Sequence, residues 1–201
     1  LAWGLLELLQ ARWHGPWLDW AVALAEAMLA HFEDREAGGF YFTADDHESL
    51  ILRPKTFGDD ATPAGNGIAA RVLLRLGFLL AEPRYIDAAE RTLRAAWSLL
   101  ERYPQGHASL LMALDELTEP PTVVVLRGAG EDLDVWRAEI DKLYDPRRFV
   151  LGVPSEATGL PPALADKRAR ERTVAYVCRG TACSPPIETL GDLIRSLKGR
   201  G

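Results

Sequence analysis

The residues best suited to chemistry fall in one stretch, from Glu36 to Gly67. Its centre reads Arg53-Pro54-Lys55-Thr56-Phe57-Gly58-Asp59-Asp60-Ala61-Thr62-Pro63-Ala64-Gly65-Asn66. Basic groups, acids, an aromatic ring and an amide are gathered there, just ahead of an apolar run. A polar ligand such as a sugar calls for that mixture: flat aromatic faces for its C–H surfaces, carboxylates and amides for its hydroxyls. Upstream, Gly38-Gly39-Phe40-Tyr41-Phe42-Thr43 alternates after a turn pair, as a short hairpin does. The candidate ligand contacts are therefore Arg53, Lys55, Asp60, Asn66 and Tyr41, with Asp59 as candidate catalytic carboxylate. A loop of this length in a compact domain is itself a sign of function or mobility.

A structural reading competes. Asp59, Asp60 or Thr62 can cap the helix that follows, with Pro63 in its first turn, and Arg53 can be their ion-pair partner. The two readings part on one variant. With a ligand-facing carboxylate, Asp59→Ala abolishes ligand binding at unchanged stability. With a capping carboxylate, it lowers the melting temperature and leaves binding intact.

The surrounding elements follow from apolar spacing. Leu1 to Ala11 is apolar almost all round and predicts a helix buried on most sides. His14-Gly15-Pro16 breaks it. From Trp17 to about Glu33, Trp17, Ala21, Leu24, Met28 and Phe32 recur at helical steps, with His31 near the end, where an imidazolium suits the helix dipole. Asn66 to Leu80 is again nearly continuous apolar sequence, interrupted chiefly by Arg71 and Arg75. Tyr85 to about Glu101 follows as an amphipathic helix with Tyr85, Ala89, Leu93, Ala96 and Leu100 on one side, and His107 to Leu117 is a further apolar helix. Buried helix, break, aromatic and amphipathic helix thus occur twice in the same order. Alternating buried and half-buried helices is what a ring of helical hairpins requires. The hairpins present are too few to close a ring, so the remainder is expected to precede Leu1.

After Pro120-Pro121 the texture changes. Thr122 to Leu126, Arg148 to Leu151 and Val174 to Cys178 read as strands, Glu131 to Tyr144 as a helix, and Thr189 as the N-cap of a last helix with Asp192 as its capping-box partner. A small, mostly parallel sheet is expected. The fold class is thus mainly α: a partial (α/α)6 toroid over residues 1–119 and a small α/β subdomain over 120–201. Cys178 and Cys183 match neither a Cys-x-x-Cys redox pair nor half of a zinc site, and read as a strand-end pair that packs or at most oxidises reversibly. Gly128 and Gly130 read as a tight turn between strand and helix.

Bulk properties narrow the partners. A formal net charge of −6 argues against nucleic acid or an anionic membrane surface. No apolar run is long enough to span a bilayer. Two cysteines make no disulfide framework, which fits a reducing, cytoplasmic setting. No metal or organic cofactor is implied.

Three ordered motifs, RPK…DDATPAGNG, the upstream GGFYFT and the later AYVCRGTACSPP, resemble the C-terminal half of the thioredoxin-domain-containing proteins of the bacterial YyaL type, which include the spermatogenesis-associated thioredoxin-like proteins of animals. The resemblance covers essentially the whole chain. It implies an N-terminal thioredoxin-like domain elsewhere in the protein and an (α/α)6 toroid related to N-acylglucosamine 2-epimerases and six-hairpin glycosidases. Arg53, Lys55, Asp59, Pro63, Gly65 and Asn66 stand where that motif has them, while Ala64 replaces a frequent Ser and Gly58 an occasional aromatic. The likeness to epimerases directs attention to His107, at the start of the last apolar helix, as a base near the toroid centre. The functional expectation is a sugar-binding or sugar-modifying, epimerase-like protein whose partner is the remaining N-terminal part of the same protein. The alternative is a non-catalytic scaffold for the thioredoxin-like domain.

Overall fold

The computed structural model describes residues 1–48 and 50–199. They are mainly helical, with a small sheet. Contacts sort the chain into two compact units: Leu1–Trp3, Asp19–Phe78 and Glu82–Pro120 in the first, and Gly4–Leu18, Leu79–Ala81 and Pro121 onward in the second.

The helices are α1 (Ala2–Ala11), α2 (Gly15–His31), α3 (Gly65–Leu80), α4 (Pro83–Arg102) and α5 (Ala108–Thr118), the last preceded by a 3-10 turn at Pro104–Gly106. In α3 the residues from Ala69 to Gly77 are all buried, so it is an interior helix as its composition predicts. In α4 the expected face of Tyr85, Ala89, Leu93, Ala96 and Leu100 is buried, and Pro83 opens the helix where a missing N–H costs nothing.

Two expectations shift. Along α1 only one face is buried, through Leu5, Leu6 and Leu9, while Leu1 and Leu8 are exposed. The buried face of α2 is Leu18, Ala21, Ala25 and Leu29, one step round from the expected stripe. Leu24, Met28 and Phe32 are only half-buried and line a groove instead. Both stripes of α2 are apolar, so periodicity alone does not say which one packs.

Helices α3 and α5 approach closely at Gly67. A Cβ there would lie 2.1 Å from the Ser109 hydroxyl oxygen and 2.9 Å from the Ser109 carbonyl carbon. Because part of the obstacle is backbone, Gly67→Ala is expected to lower stability by about 1–3 kcal/mol, seen as a fall in melting temperature.

In the second unit β1 (Thr122–Gly128), β2 (Arg148–Pro154), β3 (Val174–Arg179) and β4 (Ala182–Cys183) form one sheet in the order β2-β1-β3-β4. The helices here are α6 (Gly130–Asp141), α7 (Pro162–Ala165) and α8 (Leu190–Lys198). Val124 and Leu126 of β1, Val150 of β2, and Ala175 and Val177 of β3 form a core with Trp136 and Ile140 of α6 and Leu193 and Leu197 of α8. The other face is buried as well, through Val123, Val125, Phe149, Leu151 and Val153. Burial on both faces explains why β1 reads as an unbroken apolar run.

The sheet is not mostly parallel. Only β1 and β2 run parallel, and β3 pairs antiparallel with both β1 and β4. The parallel pair has the crossover helix it needs in α6. Between β2 and β3 the only helix is the short α7. Thr189 caps α8 as expected, accepting the Asp192 N–H at 3.2 Å. Cys178 and Cys183 are opposed across the β3–β4 hairpin and joined by a disulfide. Of the two states expected for this strand-end pair, packed or oxidised, the oxidised one is present, and it weakens the support that the lack of a disulfide framework gave to a reducing compartment. Among the described residues no helix is long and apolar enough to cross a membrane.

Candidate functional site

The site is organised by a residue the sequence reading did not single out, Asp34. It follows the end of α2 and begins the turn Asp34-Arg35-Glu36-Ala37-Gly38-Gly39. Its Oδ1 accepts the N–H groups of Glu36 at 3.1 Å and Ala37 at 2.9 Å, closing an Asx turn. Gly38 and Gly39 continue the turn at φ of 79° and 81°, a region that side chains with a Cβ rarely enter. The chain then returns through a single antiparallel bridge between Glu33 and Phe40, the minimal form of the expected hairpin. The other carboxylate oxygen of Asp34 accepts from the Tyr41 hydroxyl at 2.7 Å and from Lys55 Nζ at 2.6 Å. An Asp placed four residues ahead of a Gly-Gly pair was the signal available in the sequence.

Lys55 also donates to the Gly38 carbonyl at 3.0 Å. Arg53 stacks on the Tyr41 ring, 4.3 Å from its centroid, and donates to the carbonyls of Thr43 at 2.7 Å and His31 at 3.2 Å. It is therefore not the ion-pair partner of Asp59 or Asp60. The Ala37 N–H, then Lys55 and Tyr41, hold the Asp34 carboxyl far below the usual carboxylate range. A depressed folded-state pKa gives stability that is complete above the unfolded-state value and lost as pH falls towards the folded one. Acid melting curves should show it: below about pH 4 the native chain loses stability more steeply than the Asp34→Asn variant, which starts lower at neutral pH.

Asn66 and Asp59 fasten the rest of the loop. The buried Asn66 amide accepts the Phe40 N–H at 2.6 Å and donates to the carbonyls of Phe40 at 3.0 Å and Thr56 at 2.9 Å, joining hairpin and loop to the start of α3. Asp59 accepts the Ala64 N–H at 2.7 Å, the Ser109 N–H at 2.8 Å and the Ser109 hydroxyl. It so caps the N-terminus of α5 from a distant point in the sequence and closes the turn into α3. Burial pushes the Asp59 carboxyl up, but the bonds from Ser109 and Ala64 outweigh it and leave the pKa lowered.

Between this clamped loop and α2 lies a groove of about 600 Å³. Leu24, Met28 and Phe32 of α2 supply an apolar side, and Tyr41, Asp60 and Thr62 supply polar groups. Asp60 is exposed, and among the described residues no hydrogen bond reaches its carboxylate. Of the sequence candidates, Tyr41, Asp60 and Asn66 line the groove, while Arg53, Lys55, Asp59 and His107 do not. His107 is buried at the N-cap of α5, with Nδ1 2.7 Å from the Tyr103 carbonyl oxygen. A carbonyl only accepts, so Nδ1 carries a proton and donates it there. The other ring nitrogen, Nε2, lies beside Gly58, a groove-lining residue.

Two further clusters lie outside the groove. Arg71 and Arg75 of α3 stack over Trp3, at 4.2 and 3.9 Å, and both donate to Glu116 of α5. The pair of arginines interrupting an apolar run one helical turn apart was the sequence signal for it. His31, Asp45 and Asp46 bring metal-ligand donor types within 4.8 Å of one another, but all three are exposed to solvent. His31 Nδ1 there pairs with Asp45 at 3.0 Å.

The molecule is thus a mainly helical protein with a clamped loop beside a groove, and it also carries a small four-stranded sheet. No protein-family model matches the chain. Curated relatives do. The chain is 29% identical to human spermatogenesis-associated protein 20 over 92% of its own length, and 28% and 27% identical to the rat and mouse proteins of that name over the same share. The chain is thus similar to these proteins, in line with the resemblance its motifs carry. The matched region spans 24% of the length of those relatives.

Proposed function

We propose that the first unit is the ligand-facing part of an (α/α)6 toroid allied to the epimerases and six-hairpin glycosidases, and that its groove receives a small carbohydrate. The remaining hairpins and a thioredoxin-like domain, in this reading, belong to the rest of a longer cytoplasmic protein. The observation that carries the proposal is the groove's make-up. Asp60, with its unengaged carboxylate, and Thr62 line the groove together with Phe40, Tyr41 and Phe42. Hydroxyls and C–H faces of a sugar need that pairing.

Roles within the site follow from the engagement of each group. Asp59 is ionised and held by three donors, so it positions the wall. His107, whose Nε2 lies beside the groove-lining Gly58, is the residue that proton abstraction beside a carbonyl would use as its base. Calorimetric titration tests the contact: Asp60→Ala is expected to weaken sugar binding about tenfold, the cost of one charge-assisted hydrogen bond, at an unchanged melting temperature. Incubating a bound sugar in D2O tests the chemistry. Deuterium should appear at the carbon beside the carbonyl, and His107→Asn should abolish its entry. A sugar that binds without exchange leaves a binding protein and removes the enzyme reading.

A scaffold reading has its own support, because Asp34, Asp59, Asn66 and Lys55 are engaged within the chain and Trp20, Ile51 and Trp97 are exposed. It predicts that no sugar binds and that removing the α/β appendage, residues 120–201, breaks contact with the thioredoxin-like domain.

A further inference from the structure

The α/β unit holds a separate cavity of about 440 Å³. Its wall includes Arg127 near the C-terminal end of β1, Ser155 just after β2, Gly159 in the loop that follows, and Arg168 after α7. Beyond the carboxyl ends of parallel strands is where α/β sheets tend to leave a binding crevice.

Arg127 is only 4% exposed, yet among the described residues its side chain bonds to a backbone carbonyl, that of Ser155, and pairs with no carboxylate. Its register neighbours are Val153 on β2 and Val174 on β3. Its Nε is buried without a hydrogen bond among those residues, and the bond from Nη2 to the Ser155 carbonyl is long, at 3.4 Å. Among the described residues no Asp or Glu lines the cavity. Burial pulls the Arg127 pKa down, Tyr176 and Glu156 offset this in part, and Glu156 lines a different cavity. A guanidinium keeps its proton even so, which leaves a buried cation facing an open space. An apolar side chain of similar volume would fill such a corner at lower cost. The second guanidinium, Arg168, is exposed, and its backbone is fixed by a 2.9 Å hydrogen bond from the Tyr176 hydroxyl to its carbonyl.

We propose that this cavity binds a small oxyanion, the phosphate or carboxylate group of a small molecule, on Arg127 and Arg168. Planar donor forks suit both anions, and the buried one gains most because the anion supplies the missing countercharge. This site is independent of the sugar groove and stands or falls without it.

The test is a titration of the full-length protein at fixed ionic strength, with inorganic phosphate in one arm and succinate in the other, followed by calorimetry and by the arginine Nε–Hε NMR signals. Saturable binding that shifts the Arg127 signal is expected. It should weaken by about tenfold in Arg168→Gln, an exposed change that spares the fold, and vanish in Arg127→Met. Without ligand, Arg127→Met should melt at or above the native temperature, because it removes an uncompensated buried charge. Tighter binding of phosphate identifies a phosphorylated ligand, and tighter binding of succinate a carboxylate. Absence of saturable binding in both arms overturns the proposal. So does binding that survives Arg127→Met, or a native affinity in Arg168→Gln combined with a strongly destabilised Arg127→Met.

Discussion

Asp59→Ala is expected to lower stability by about 3 kcal/mol or more, although Asp59 sits in the loop richest in candidate chemistry. Its carboxylate accepts three hydrogen bonds, from Ala64 N–H, Ser109 N–H and the Ser109 hydroxyl, and bonds to a charged group are worth about 1.5–3 kcal/mol each. Alanine leaves the first turn of α5 without its cap and the turn into α3 without its closure. The effect should depend on pH in a stated direction. The folded-state pKa is depressed, so the stabilisation is present above the unfolded carboxyl's pKa and disappears as pH falls through the folded value. Denaturant melts of native protein and variant should therefore differ widely at pH 7 and converge in acid. The geometry makes Asp59 a clamp, chiefly on α5 rather than on the helix that follows it in sequence, and Asp60 is the acid that meets solvent in the groove.

Glu116→Ala carries the second large effect, about 3–5 kcal/mol of lost stability. The side chains of Arg71 and Glu116 are 10% and 5% exposed, and Arg71 donates from both Nε and Nη2 to one Glu116 oxygen, at 3.1 and 2.6 Å. Removing the carboxylate leaves the Arg71 guanidinium in a dry interior against Trp3 without either bond. The cost is that of the stranded charge more than of the lost attraction. Replacing Arg71 and Glu116 together by apolar residues of similar volume should therefore recover part of the loss in a double-mutant cycle, the bond from Arg75 to Glu116 being lost in either case.

Much of this architecture is readable in the chain because single elements carry strong local signals. The face of α4 follows from its spacing, Thr189 with Asp192 marks the start of α8, and the valine run of β1 reads as a strand. What the sequence hides is pairing between distant segments. Nothing local says that Asp59 reaches Ser109, that Asn66 grips Phe40, or that Glu116 joins Arg71. The direction of β3 is hidden for the same reason, since a strand reads alike whichever way it runs. The packed face of α2 was ambiguous because its two apolar stripes are alike in hydrophobicity, and the half-buried one became the groove wall. Asp34 escaped notice because an Asp in a turn is common, and only the later positions of Tyr41 and Lys55 make it a hub.

The most direct test of the groove reading is the melting temperature of the full-length protein with and without monosaccharides, disaccharides and N-acetylated sugars, measured for the native sequence and for Asp60→Ala. A sugar at about a hundred times its dissociation constant should add roughly 2.7 kcal/mol of stability to the native protein. The same sugar should add far less to Asp60→Ala, whose unliganded melting temperature stays unchanged. If no sugar shifts the native protein, or if Asp60→Ala responds as the native protein does, the groove is not a carbohydrate site.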